Sequence, residues 1–335
     1  MMQQAVAHQA NTLLGLLAET SIHAGAGHSV GAIDLPIQRE AHTDWPCVFG
    51  SAVKGALRTL AEDRMCAEQI DGSGIVKKEC REVLYAIFGP DTGKASEHAG
   101  ALIVGDARLV LLPVRSLTTH FKWVTCPALL DRLRRDADRL GVEGFEVLKI
   151  QQPTGATGDV SPAWSASDET DIYLEEYRFL ARPLDQTKQI VEALAKLSER
   201  DGFADALRRQ LVVVEDDLFR DLCRHATPVN AHVRLESESK TTKRGALWYE
   251  ETLPPETLLS VALSAGPARR RKKNEDGTDA GPMDLDAVTV LQQVANLFQL
   301  KPYLQLGGNE TVGMGWCRVT TTLPVPTLPV QRQEV

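Results

Sequence analysis

Three observations predict an α+β fold for this chain. Strand-like apolar runs and helix-like amphipathic runs are intermixed, without the regular alternation that builds a doubly wound parallel sheet. No segment recurs at a fixed period, which argues against a solenoid or a propeller. Two alternating segments, 231–236 and 246–253, flank a polar tip in the pattern of a long β-hairpin. At 335 residues the chain can bury a large core, in one elaborated domain or two.

The elements follow in order. Leu13–Ile22 reads as a buried strand, and a glycine-rich loop follows it. Trp45–Gly50 is extended, and Ser51–Glu62 is a helix with Ser51 as a good N-cap. Residues 101–112 form a strand that Pro113 interrupts. Pro127–Leu140 is an amphipathic helix with proline at its first turn. Gln151–Thr170, rich in Gly, Ser, Pro and Thr, reads as loop, and Ile172–Leu180 as one strand. Thr187–Arg200 and Glu215–His225 are helices. The hairpin comes next, then a strand over Thr257–Ser264. Gly266–Met283, with the basic run 269–273, reads as a disordered polar insertion with no site assigned to it. Asp284–Leu300 is a helix, Gly315–Thr321 the last strand, and the Pro-rich tail from Pro324 is extended and exposed.

Composition removes several function classes. No apolar run approaches bilayer length, and the first ten residues lack the basic and apolar regions of a signal peptide. The six cysteines never form a Cys-x-x-Cys pair, which argues against a zinc site and a disulfide framework. The expectation is a cytoplasmic protein with free thiols. A net charge of −8 argues against gripping nucleic acid by bulk electrostatics, but leaves room for a local groove.

Two glycine-rich loops are the most informative segments. The first, His23 to Glu40, carries Gly25, Gly27 and Gly31 and places His23 and Asp34 eleven residues apart across its bend. The second, Leu306 to Trp316, holds four glycines in nine residues: Gly307, Gly308, Gly313 and Gly315. A loop of that composition suits a backbone shelf for a phosphate polymer, although it also suits a tight turn. Asp34 reads either as a turn residue or as a general base on an exposed loop. His23 reads either as a buried histidine bonded to backbone or as a group that orients RNA or donates a proton. Lys54 and Arg58, four apart, form either a solvated helix face or phosphate contacts near a helix N-terminus. Trp248 and Tyr249 fall on opposite faces of their strand, for base stacking or for packing the hairpin.

Four strings, in order, carry a resemblance. They are Asp34-Leu-Pro-Ile-Gln-Arg39-Glu40, Phe49-Gly-Ser-Ala-Val-Lys54-Gly-Ala-Leu-Arg58, Ala246-Leu-Trp-Tyr-Glu250-Glu-Thr-Leu-Pro, and Gly307-Gly-Asn-Glu-Thr-Val-Gly-Met-Gly315. Together they resemble the repeat-associated mysterious protein (RAMP) superfamily, and within it the backbone subunits of the type III-B CRISPR effector, the Cmr complex. The resemblance implies an RRM-like (ferredoxin-like) palm within one domain over residues 11–322. Helical insertions would occupy about 59–100 and 127–226, and a hairpin thumb about 229–254. It implies copies stacked along a CRISPR guide RNA with other Cmr-complex subunits, cutting complementary target RNA at regular intervals. The family's catalytic aspartate falls on Asp34, its upstream histidine on His23, and a thumb glutamate on Glu250, with Glu251 adjacent. A family tyrosine has no clear counterpart, since Thr252 stands in its place and Tyr249 lies on the other side. The RNA-contacting set expected on this basis is Arg39, Ser51, Lys54, Arg58, Lys240, Lys243, Arg244, Gly307, Gly308, Asn309, Gly313 and Gly315. A divalent ion, Mg2+ or Mn2+, is the expected cofactor, although a single carboxylate makes a poor two-metal site and favours ribose-assisted cleavage. A non-catalytic filament subunit and a stand-alone processing ribonuclease are the alternatives.

Overall fold

Every residue from Leu13 to Leu17 that carries a side chain is buried, because the first strand is covered on both faces. A computed structural model describes residues 9–27, 29, 31, 33–66, 78–91, 93, 98–155, 160–273 and 279–323. In chain order the elements are β1 (Ala10–Ala18), β2 (Cys47–Val48), α1 (Gly50–Cys66), α2 (Lys78–Phe88), β3 (Leu102–Arg115), β4 (Phe121–Thr125) and α3 (Pro127–Leu140). Next come β5 (Ser161–Ser165), β6 (Asp171–Leu174), β7 (Tyr177–Pro183), α4 (Thr187–Ala195), α5 (Phe203–Gln210), β8 (Leu211–Val213) and α6 (Asp216–His225). The chain closes with β9 (Val229–Leu235), β10 (Thr242–Glu251), β11 (Leu258–Ala265), β12 (Arg271–Lys273), β13 (Asp279–Pro282), α7 (Ala287–Asn296), β14 (Tyr303–Gln305) and β15 (Trp316–Thr321).

One mixed sheet of eleven strands runs β14-β15-β1-β11-β3-β4-β8-β5-β7-β6, with β2 also paired to β3. Pairing is parallel at β4–β8 and β5–β7 and antiparallel elsewhere in the sheet. Strand alternation splits β1 between two cores. Leu14 and Leu16 join a cluster with Val53 and Leu57 of α1 and Val290 and Leu291 of α7. Leu13 and Leu17 join another with Leu130 and Leu133 of α3 and Ile190 and Leu194 of α4. β9 and β10 form a separate two-stranded ribbon that leaves the sheet.

Local chemistry explains the elements. α3 starts on Pro127 and ends at Gly141, in the left-handed region at φ 69°. Its leading Ala128 amide donates to Asp216 Oδ1 at 2.9 Å, which ties it to α6. α7 is capped by Asp286, whose Oδ1 accepts the Thr289 amide at 2.7 Å.

Several expectations need correction. Pro113 does not interrupt β3: pairing with β11 ends at Leu111, and from Leu112 the strand pairs with β4 instead. The expected loop 151–170 contains β5, whose Ser-Pro-Ala-Trp-Ser composition gives no strand signal and which is held by β7 and β8. The expected strand 172–180 is a hairpin, broken where Glu175 turns at φ 51°. α2, β4, α5, β8 and β14 have no counterpart among the elements read from the sequence. The polar insertion carries the ribbon β12–β13 on either side of 274–278, which lie outside the described residues, as does the tail from Pro324. Cys66 and Cys80 form a disulfide joining the ends of α1 and α2, against the reading of free thiols throughout. Their proximity comes from two helix ends meeting, not from close spacing in sequence. The other four cysteines are free and buried, and burial pushes the Cys47 thiol up to about 11. Among the described residues no helix is long and apolar enough to cross a membrane.

Gly15 is the point at which β1 and the turn after α4 touch. A Cβ there would lie 1.9 Å from the Leu197 carbonyl oxygen, a backbone atom that cannot rotate away. Gly15→Ala is therefore expected to destabilise the fold by roughly 1–3 kcal/mol. Urea unfolding followed by circular dichroism checks this, and an unchanged midpoint would contradict the close approach.

Candidate active site and nucleic-acid interface

The first glycine loop does not project freely. It doubles back, with Gly25 bridged to Ile37, and then lies along the foot of the ribbon, with Leu35 bridged in parallel to Glu250. Gly27 and Gly31 supply the turns, at φ 80° and 59°. Ile22 and Ile37, both buried, anchor its two limbs. Ile22 also exchanges backbone hydrogen bonds with Leu253, each 2.9 Å, at the far end of β10.

Two adjacent glutamates at the end of β10 point opposite ways, as strand alternation requires. Both are buried, Glu250 at 3% exposure and Glu251 at 2%. Glu251 is saturated by protein donors. Its carboxylate takes the Arg39 guanidinium, the Thr227 hydroxyl at 2.6 Å and the Ile37 amide at 3.1 Å. Glu250 faces the other side, where the Asn309 side-chain amide donates to it and His23 Nδ1 lies 3.9 Å away. Of the two candidates for the functional glutamate, Glu250 is the one beside His23.

His23 is itself buried. Its Nδ1 is 2.8 Å from the Glu251 carbonyl oxygen, which can only accept, so Nδ1 carries the proton. This is the backbone-bonded geometry that the sequence offered as the structural alternative for His23. Asp34 is exposed and sits on the outer limb of the loop. Its Oδ2 accepts the Tyr249 amide at 2.8 Å, and among the described residues its Oδ1 has no partner. The carboxylate is thus held in place on one oxygen and open on the other.

The second glycine loop closes over the first. Gly308 N donates to His23 O at 2.7 Å, and Gly315 N to Ser21 O at 2.8 Å. A Cβ on Gly307 would lie 2.4 Å from His23 O, so this glycine is required by the contact between the two backbones. Gly315 is likewise blocked, 2.0 Å from Leu306 O, whereas Gly313 has open space around it. Asn309, left-handed at φ 59°, aims its amide at Glu250.

A cleft of about 490 Å³ runs between this loop and α1. α1 contributes Ala52, Ala56, Thr59, Leu60, Asp63 and Arg64; the loops contribute Gly25, Gly307, Gly308 and Glu310; and Tyr303 and Trp316 close one end. Small residues on α1 and glycines opposite give backbone-lined walls with little net charge.

The expected cations lie elsewhere. Lys54 donates to Leu102 O at 2.9 Å, and burial holds its amine below the ordinary lysine range. Arg58 is paired with Glu62 at 3.0 Å and Asp91 at 2.6 Å. Arg39 is committed to Glu251 and to the Asp44 carbonyl at 2.7 Å. None of these three lines the cleft. Ser51 is exposed but is not the N-cap: α1 begins at Gly50, whose amide is taken by Asp106 Oδ1 at 2.7 Å. Asp106 is 56 residues away in sequence, which is why a local reading settled on Ser51. At the ribbon tip Lys240 is exposed and Lys243 lies 4.0 Å from Glu236. The Arg244 side chain lies outside the described residues. Thr227 and Asn309 complete the two glutamate clusters; the Gly-Gly-Asn string flagged Asn309, and nothing in the sequence flags Thr227.

Removing Glu251 would strand the Arg39 guanidinium, whose side chain is only 19% exposed. Glu251→Ala is expected to cost about 3–5 kcal/mol, the penalty for an unpaired buried charge. Glu250→Gln keeps its neighbours' shape and is expected to cost under about 1 kcal/mol. Thermal melts of the two variants side by side check the contrast, and equal losses would contradict it.

Comparison with known proteins shows the family and the fold. The family model described as the RAMP superfamily matches residues 16–318. The chain is 34% identical over 313 residues to the CRISPR system Cmr endoribonuclease Cmr4 of Pyrococcus furiosus, covering 92% of this chain and 94% of that protein. The crystal structure of oligomeric Cmr4 from Pyrococcus furiosus superposes with a TM-score of 0.62 at 27% identity, over 93% of this chain and 98% of that one. A cryo-EM structure of the type III-B Cmr-beta complex bound to cognate target RNA contains a chain of the same fold, with a TM-score of 0.67 at 19% identity, covering 93% and 97%. With one family model spanning most of its length, and one relative a third identical across nearly all of it, this chain belongs to the RAMP superfamily.

Proposed function

We propose that this chain is a backbone subunit of a type III-B CRISPR ribonucleoprotein, which holds guide RNA and cleaves the complementary target RNA. The observation that carries the reading is its near full-length similarity to an endoribonuclease named Cmr4. Two features of the site support it: an open carboxylate oxygen on Asp34 at the foot of the ribbon, and a cleft between α1 and the two glycine loops. Further copies of this chain and other Cmr-complex subunits are its partners in this reading.

The palm is the frame β15-β1-β11-β3, all antiparallel, with α1 between β1 and β3 and α7 between β11 and β15. That order matches the βαββαβ arrangement of a ferredoxin-like sheet. The thumb is the β9–β10 ribbon, and the domain extends over residues 11–322 with α2–α6 as insertions.

Asp34 Oδ1 accepts the proton of the target's 2′-hydroxyl, and the 2′-oxygen attacks the adjacent phosphorus. The bond to the 5′-oxygen breaks, that oxygen takes up a proton, and the products are a 2′,3′-cyclic phosphate and a 5′-hydroxyl. His23, with Nδ1 committed to the Glu251 carbonyl, fixes the loop that carries Asp34 and holds its neighbour Gly308 in place. Glu250 orients Asn309 at the edge of the cleft. Among the described residues no three His, Cys, Asp or Glu side chains converge as a metal site. A hydrated ion carried by RNA phosphate remains compatible with one open carboxylate oxygen.

Asp34→Asn is expected to slow target cleavage by roughly two to four orders of magnitude while guide loading and target binding persist. Cleavage at the wild-type rate in a reconstituted complex would remove Asp34 from the chemistry. Deleting Ser239–Lys243 shortens the ribbon tip and is expected to blur the spacing of products. Identical product ladders on a sequencing gel would show that the ribbon does not set the interval.

A further inference from the structure

The β9–β10 ribbon has two unlike faces. Its register pairs Val233 with Leu247, Ala231 with Tyr249, His232 with Trp248 and Asn230 with Glu250. One face is therefore largely apolar, with Val233, Leu247 and Tyr249 all exposed. The other runs Arg234, then His232 beside Trp248, then Asn230 beside Glu250. On that second face the His232 and Trp248 rings are stacked, with centroids 5.4 Å apart and planes 15° from parallel. His232 Nε2 is buried at the ring and has no hydrogen-bond partner. Arg234 is exposed and makes no ion pair among the described residues, unlike Arg39 and Arg58.

Trp248 and Glu250 are two residues apart on one strand, so they share a face about 6.5 Å apart along it. Glu250 is the carboxylate beside His23 and Asn309. The aromatic pair thus stands one step outward from the candidate site, on the same side of the ribbon, with a free cation one step further. An aromatic pair on one rung and an exposed cation one step further along the same face match the base and phosphate of one nucleotide.

We infer that His232 and Trp248 form a nucleobase-stacking subsite that seats the target nucleotide next to the scissile phosphate, with Arg234 on its phosphate. The inference rests on the proposed RNA-cleaving function and adds the residues that fix where the target strand sits. The base lies against the outer face of the His232–Trp248 pair. Stacking of this kind accepts any base, which suits an enzyme whose sequence choice resides in a guide. The apolar face takes no part in this subsite.

The test uses the reconstituted ribonucleoprotein and a set of target RNAs, each with 2-aminopurine at one successive position. In the wild-type complex, fluorescence is expected to be quenched most at one nucleotide beside each cleavage point. Trp248→Ala is expected to lose that quenching and to weaken target binding roughly 10-fold. Trp248→Phe, which keeps a π-face, restores most of both, whereas a merely structural role for the indole would not follow that order. Guide loading stays as in wild type. If Trp248→Ala melts early, His232→Ala removes half of the platform and carries the same readout. A wild-type complex that cuts target but quenches no position, or a Trp248→Ala complex that quenches as wild type does, would overturn the subsite and leave the function standing. A wild-type complex that neither binds nor cuts complementary RNA would overturn both.

Discussion

The buried carboxylate of Glu251 is the junction on which the site depends. It joins three segments distant in sequence: the first loop through Arg39 and Ile37, the entrance to β9 through Thr227, and its own strand β10. A carboxylate so deeply buried is tolerable only when its lone pairs are filled, and here they are filled by a charge, a hydroxyl and an amide. Because strand side chains alternate, fixing Glu251 inward fixes Glu250 outward toward His23 and Asn309. The same strand then presents Trp248 beyond Glu250 and receives Asp34 on the Tyr249 amide. The buried Glu251 cluster thereby sets the direction in which β10 presents Glu250 and Trp248.

The electrostatics follow a related logic. The chain has 37 Lys and Arg against 45 Asp and Glu, and many of its arginines are consumed in ion pairs with the protein itself. The cleft offers small side chains and backbone instead, from α1 and from two glycine loops bonded to each other. Arg234 and Lys240 on the ribbon are exposed exceptions.

Much of this was legible in the sequence where the signal is local. α3 announced itself by Pro127 and by its amphipathic pattern. The ribbon announced itself by alternation around a polar tip, and the two glycine loops by composition. Long-range pairing was not legible. β5 exists because β7 and β8 hold it, and Pro113 is accommodated because β3 changes partners at that point. Asp106 rather than Ser51 serves the start of α1, and Cys66 meets Cys80 through the meeting of two helix ends. In the site, the residue types were readable but their commitments were not. Arg39, Lys54 and Arg58 look like RNA contacts in one dimension and are held by protein groups in three. The choice between Glu250 and Glu251 required knowing which way β10 faces.

In the proposed mechanism Asp34 is the base and the target RNA's own 2′-hydroxyl is the nucleophile. A target RNA carrying a single 2′-deoxynucleotide immediately 5′ of one scissile phosphate tests this directly. The account predicts that cleavage vanishes at that position and persists at the others, with cyclic phosphate ends on the fragments that form. Undiminished cleavage at the deoxy position would contradict it.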